Sequence, residues 1–171
     1  MAFRNDGKLV VASWDRDGAV FLLDLQAPPE KRVKRIAEGL HEPLGMSIVD
    51  NRLYVLQKQE LTELIDTNGD DIIDQYRAVT YDWPSSSNFH FRTPNGIATG
   101  PDGAIYVTDN QGDWLPASKL IRVEEGGFYG SRAVPGEGVM TREEDPPVVW
   151  LPQDEIGNSP TQPLLLNEGP Y

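Results

Sequence analysis

One short pattern is written three times along this chain of 171 residues. Its copies run from Met1 to Val11, from Met46 to Val55 and from Ile97 to Val107. Each has an apolar start, a turn built from Asn, Asp or Gly, and a β-rich run that closes near Val11, Val55 or Val107. The last two copies share a lead-in, Glu42-Pro43-Leu44-Gly45 and Thr93-Pro94-Asn95-Gly96. A strand-rich period of roughly 40–50 residues is the signature of propeller blades. The repeat therefore predicts an all-β chain of about four small antiparallel sheets, one domain over residues 1–171, forming part of a propeller.

Composition agrees. The 16 glycines and 14 prolines are scattered between short apolar runs, as in a turn-rich β protein. A formal net charge of −12 argues against a nucleic-acid partner, because phosphate binding needs clustered Lys and Arg. The basic cluster Lys31-Arg32-Val33-Lys34-Arg35 is flanked by Glu30 and Glu38 and reads as a solvated strand face. The absence of cysteine removes disulfides, thiolate metal sites and cysteine nucleophiles. No apolar run approaches the ~20 residues of a membrane helix, and Met1 to Gly7 reads as a blade strand rather than a signal peptide. Three to four blade equivalents lie at or below the low end of the ~4–8 of closed propellers. A piece of a larger propeller is expected, or a chain that completes one by association.

Strands are predicted at Lys8 to Ser13, Ala19 to Leu25 and Arg32 to Ala37, then at Arg52 to Gln57 and Leu61 to Ile65. A third set falls at Ala104 to Thr108 and Lys119 to Val123, and a last one at Val148 to Leu151 and Pro163 to Leu166.

The sharpest local motif runs from Asp66 to Asp74. Asp66, Asn68, Asp70 and Asp74 place oxygen side chains at relative positions 1, 3, 5 and 9, and Ile72 can offer its carbonyl at position 7. This is the oxygen spacing of a calcium loop, since a hard cation takes 6–8 oxygens from a tightly turned chain. Asp71 stands at the sixth position, where glycine is usual, and Arg77 at the twelfth, so the motif is not an EF-hand. Its shorter form resembles calcium loops in β-propeller repeats such as those of integrin α chains. The other reading is an acidic hairpin turn without an ion.

A second constellation fills Arg92 to Gly130. Arg92-Thr93-Pro94-Asn95-Gly96 is followed by the Pro101-Asp102-Gly103 turn, a strand ending at Thr108-Asp109-Asn110, and Gly127-Phe128-Tyr129-Gly130. In this order the segments resemble the glucose/sorbosone dehydrogenase family, six-bladed propellers that commonly use pyrroloquinoline quinone. Leu40 to Gly45, Thr108 to Trp114 and Ile156 to Pro160 add a likeness to a bacterial subgroup of membrane-bound dehydrogenase-like proteins. The resemblance implies a sugar or small alcohol as substrate and a periplasmic or secreted setting. It also implies polar contacts to quinone and substrate from Arg92, Asn95, Asp109 and Asn110 near the axis.

The same resemblance exposes a gap. In the subgroup, Asn-Phe-His is followed by Glu and a full apolar strand; here Asn88-Phe89-His90 runs straight into Phe91-Arg92. Roughly one blade is missing between His90 and Arg92. His90 is the residue that would act as general base, since imidazole titrates near neutrality; the other reading is a solvated loop histidine. Asp109-Asn110-Gln111-Gly112 stands where the dehydrogenases often have Glu-His-Gly. Two functions follow: a shortened quinone-dependent dehydrogenase-like propeller that is inactive alone, or a non-catalytic, calcium-stabilised module binding a carbohydrate or protein.

Overall fold

The three copies of the pattern differ in their turns, and the turns decide the hairpins. Asp50 and Asn51 both take positive φ, 48° and 63°, which is the two-residue hairpin geometry that Asp and Asn tolerate best. The first and third copies are longer and close on glycines in the left-handed region, Gly7 (φ 82°) and Gly103 (φ 79°). In this computed structural model, which describes residues 1–80, 94–110, 117–130, 141–156 and 160–166, each hairpin extends into a four-stranded antiparallel meander. The first sheet contains β1 (Ala2–Phe3), β2 (Leu9–Ala12), β3 (Gly18–Leu23) and β4 (Val33–Leu40). The second contains β5 (Gly45–Val49), β6 (Arg52–Leu56), β7 (Leu61–Ile65) and β8 (Gln75–Thr80). The third contains β9 (Pro94–Thr99), β10 (Ile105–Asp109), β11 (Ala117–Arg122) and β12 (Val149–Pro152). We refer to them as blades 1, 2 and 3.

The period of two along each strand stacks the blades. In β6, Leu53 and Val55 face blade 1, where they join Val10, Val20, Leu22 and Ile36. Tyr54 and Leu56, one residue out of phase, face blade 3 and meet Ile97, Val107 and Ile121. Blade 2 is apolar on both faces because it is covered on both. The first strands of the blades lie side by side, with β5 packed against β1 and β9, as inner strands do around a propeller axis. Close approach there needs a small residue: a Cβ on Gly45 would stand 2.9 Å from Ile97 Cγ2.

The sheets number three among the described residues, where the repeat predicts about four. Val149–Pro152 does form a strand, but it pairs with β11 as the outer strand of blade 3. Residues 160–166 form no strand. Pro160 and Pro163 remove two ladder donors, and the segment instead lies on the outward face of blade 3, where the Thr108 hydroxyl donates to Thr161 O at 2.6 Å. The chain is otherwise free of α-helix among the described residues, with one 3₁₀ turn at Pro29–Lys31.

Blade stacking is testable by cross-linking because the chain has no cysteine of its own. Ser47 Oγ on β5 and Thr99 Oγ1 on β9 are 2.5 Å apart. We expect the Ser47→Cys/Thr99→Cys variant to form an intramolecular disulfide on mild oxidation, read as a mobility shift on a non-reducing gel. A pair that stays reduced would contradict the contact between the inner strands of blades 2 and 3.

Candidate functional site

Strands β2, β6 and β10 all end on one rim of the stack, and each end carries a polar residue at the same register. Ser13 N donates to Ala19 O and Gln57 N to Glu60 O, while Asp109 pairs with Lys119. In blade 1 the position is bland: Ser13 Oγ accepts the Ala19 N–H at 2.9 Å. In blade 2 it becomes a network. Gln57 Nε2 donates to Thr62 Oγ1 at 2.7 Å and to Glu60 Oε1 at 3.0 Å, and its Oε1 accepts the His41 N–H at 2.5 Å. Beside it Lys58, only 4% exposed, pairs with Glu42 at 3.0 Å, and Glu42 holds a left-handed φ of 47°.

Blade 3 carries the most heavily charged version. Lys119, 6% exposed, lies 3.2 Å from Glu144 and 3.8 Å from Asp109. Its ammonium also donates to Tyr129 O and sits 5.4 Å from the Trp150 ring centroid. Burial pushes the Asp109 carboxyl up to about 6, with the nearby Glu144 charge adding to the rise; Lys119 and the Asn110 N–H oppose it without cancelling it. Asn110 is buried, and its Oδ1 accepts from Ser118 Oγ at 3.4 Å. A carboxyl titrating near 6 can accept protons at neutral pH, but this one points between blades 2 and 3, on the same side as Val107.

That placement has a pH consequence. A carboxyl whose folded pKa exceeds its unfolded value of 3.8 binds more protons in the native state across that interval. Its contribution is present at pH 4 and is lost as the pH rises through about 6. The size is about 3 kcal/mol from the shift. Denaturant titrations at pH 4, 5, 6 and 7 should find this decline in the native chain and a flatter profile in Asp109→Asn.

The opposite rim holds the Asp66 loop. Asp66 Oδ1 accepts from Asn68 N and Gly69 N, and its Oδ2 from Asp71 N. Asn68 Oδ1 accepts from Asp70 N, Asp70 Oδ1 from Ile72 N, and Asp74 Oδ2 from Thr67 N and its hydroxyl. Desolvation works to raise the Asp66 carboxyl, but these N–H groups hold it below the usual carboxylate range. Asp71 takes a φ of 61° in the place of the usual glycine, and the Arg4 guanidinium holds its carboxylate at 2.5 Å. The loop also ties the blades together, with Ile73 N donating to Ile36 O at 2.8 Å. Among the described residues no three Asp, Glu or His side chains converge as a metal site would require.

The two rims separate the expected residues. His90 and Arg92 lie outside the described residues; Asn95 lies on β9 and only its backbone is described. Asp109 and Asn110 are neighbours at the end of β10, while Asp66, Asn68, Asp70, Ile72 and Asp74 share the loop on the other side. Lys119, Glu144, Lys58 and Glu42 were not anticipated. Lys119 had one readable signal: it is in phase with Ile121 on a predicted strand and so faces inward.

The family resemblance implies a quinone at this rim. Pyrroloquinoline quinone carries three carboxylates and needs cations. Among the described residues here, both buried cations already hold carboxylate partners, Lys58 with Glu42 and Lys119 with Asp109 and Glu144. That donor set does not fit the group.

Residues 30–128, more than half of the chain, match the family model described as a domain of unknown function, DUF7133. The chain belongs to this family. No curated protein matches it. Among solved structures it is similar to the PQQ-bound form of aldose sugar dehydrogenase from Streptomyces coelicolor, at 15% identity and a TM-score of 0.59. The match covers 92% of this chain and 52% of that one, so this DUF7133 chain spans about half the length of its structural neighbour. At that identity the likeness establishes the β-propeller fold. No helix among the described residues is long and apolar enough to cross a membrane.

Proposed function

We propose that this chain is half of a sugar-dehydrogenase-like propeller and that one copy alone does not oxidise an aldose or alcohol. The observation that carries the reading is the set of three inner strands, β1, β5 and β9, packed side by side in a chain that covers 52% of a dehydrogenase propeller. Three blades wall one side of an axis. A reacting centre there needs walls on all sides, because a misplacement of ~1 Å can cost ~100-fold in rate. In this reading His90 is the remnant of the general base, and Arg92, Asn95, Asp109 and Asn110 occupy the family's quinone-contact positions without forming a quinone site here, Asp109 being turned onto Lys119 and Asn110 onto Ser118. The sugar substrate and an extracytoplasmic location belong to the same proposal. Titrating pyrroloquinoline quinone into the protein and following its absorbance tests it. No saturable spectral change is expected; tight binding at one site per chain would overturn the reading.

A second reading, a calcium-stabilised module that binds a carbohydrate or protein partner, is favoured by the loop from Asp66 to Asp74. Its donors are all hard oxygens on one short loop, and Lys34 Nζ donates across the blade boundary to Asp70 O. Calcium bound there would tie blade 2 to blade 1. At 100 times the Kd a ligand adds about 2.7 kcal/mol to stability. We expect calcium to raise the Tm of the native chain, and Asp66→Ala or Asp70→Ala to abolish that rise without changing the Tm in chelator by a comparable amount. Equal melting of the native chain in calcium and in chelator would remove the metal.

A further inference from the structure

We propose that the cleft between blades 1 and 2 is a binding site for a small aromatic acid, its rings against the aliphatic walls and its carboxylate at Arg52. Two joints built on one plan differ here in a single filler. In both, the outer strand of the leading blade carries a bulge, at Ile36 in β4 and at Val79 in β8. In both, the loop after the third strand of the next blade docks on the bulge carbonyl: Ile73 N donates to Ile36 O at 2.8 Å and Gly126 N to Val79 O at 3.1 Å. From that point the two loops part. The blade 3 loop goes on to Tyr129, whose buried ring joins Tyr54 in the core between blades 2 and 3. The blade 2 loop passes straight into β8, and among the described residues the core between blades 1 and 2 contains no aromatic side chain. A cleft of about 720 Å³ stays open at this docking point, walled by Val10, Ile36, Ile48, Leu53, Leu64 and Ile73. Interiors are otherwise close-packed, and clefts of roughly 300–1,000 Å³ with apolar walls and a few placed polar groups are the usual form of a small-molecule site. The missing filler is a ring, which sets the apolar half of the ligand.

Charge sets the polar half. The cleft runs past the end of the blade 2 sheet to Arg52, Glu63 and Arg77, and its lining also includes Arg4, Asp66 and Asp71. Most of these charges are already met. Arg4 holds Asp71 at 2.5 Å and Arg77 holds Glu63 at 2.6 Å, while the loop's own N–H groups hold Asp66. Arg52 is the exception. Its side chain is 61% exposed, and its Nε stands 3.8 Å from a Glu63 carboxylate that Arg77 already engages. Its other partner, the Tyr54 hydroxyl, is neutral. The cation with most capacity left therefore stands at the end of an aliphatic cleft, and a guanidinium takes a carboxylate through two parallel N–H bonds. A cationic ligand would meet Arg52 with every lining carboxylate already engaged. The cleft is closed by blades 1 and 2 of one copy and needs no other part of a propeller.

The probe is 2-naphthoate, with 2-naphthylmethanol and 2-naphthylmethylammonium as its neutral and cationic counterparts. Calorimetric titrations are run in chelator, so that the Asp66 loop holds no calcium. The full chain should bind one equivalent of 2-naphthoate with a Kd on the order of 0.1–1 mM, as suits a ligand of so few non-hydrogen atoms. The alcohol should bind about 10-fold more weakly, for want of the charged hydrogen bonds, and the ammonium more weakly still. Arg52→Gln should reduce binding of the acid to the level of the alcohol and leave the alcohol unchanged. Arg52 is exposed, so this variant keeps its fold and decides the question even if a core variant does not fold. Ile73→Trp puts a ring into the cleft and should abolish binding of acid and alcohol alike, with a native circular dichroism spectrum. Absence of saturable binding at millimolar acid overturns the proposal. So does an affinity for the alcohol or the ammonium that equals or exceeds that for the acid. Acid binding that survives Arg52→Gln undiminished places the site elsewhere and overturns it as well.

Discussion

Replacing Lys119 with methionine is expected to destabilise the protein by about 3–5 kcal/mol, the usual cost of removing one partner from a buried ion pair. The ammonium is the cation between Asp109 and Glu144, at 3.8 and 3.2 Å, and it also satisfies the Tyr129 carbonyl. Methionine matches the length of the stem and keeps contact with Trp150, so packing loss is small and the effect is electrostatic. Two carboxylates are left facing each other without the cation between them. The Asp109 carboxyl, already raised by burial and by Glu144, should rise further. The defect should therefore ease below pH 6, where Asp109 can protonate, and deepen above it. Urea titrations at pH 5 and pH 8 check this: a larger loss at pH 8 is expected, and equal losses would mean that Lys119 contributes packing alone.

The second large effect is expected at Leu61. It is fully buried and packs with Tyr54, Leu56, Ile97 and Val107 between blades 2 and 3. Leu61→Ala should cost about 2–5 kcal/mol, the range for a leucine removed from a site that cannot collapse. For a chain of this size that lowers the Tm by roughly 4–20 °C. Thermal and denaturant melts give the value directly. A loss below about 1 kcal/mol would contradict tight stacking of these two blades.

Much of the fold was legible because blade strands write their environment in period two. β7 falls at the predicted bounds, Leu61–Ile65, and after Arg52 the β6 run Leu53 to Leu56 is apolar because neighbours cover both its faces. β8 went unpredicted for the converse reason: Gln75–Thr80 is an outer strand, and its first four residues are exposed. The repeat predicts about four sheets and there are three among the described residues, since Pro160 and Pro163 leave residues 160–166 a covering segment rather than a ladder. The site was less legible. Asp109 and Asn110 were reached through resemblance, which says nothing of orientation, and Asp109 is turned onto Lys119 between the blades. A lysine within a strand reads as solvent-facing by type, and only its shared phase with Ile121 marks Lys119 as inward-facing. In the Asp66 loop, the spacing correctly implied a tight turn, with Asp71 accepting the left-handed backbone, but spacing alone does not say whether the oxygens turn to a cation or to the loop's own N–H groups.

The central claim is that three blades, without the strand that the family resemblance expects after His90, do not make a working axial site. Aldose oxidation coupled to an artificial electron acceptor tests it most directly, using the chain with pyrroloquinoline quinone and calcium at protein concentrations below and above any self-association. The account predicts no turnover above the protein-free rate at either concentration. Quinone-dependent turnover that disappears in His90→Ala would contradict it.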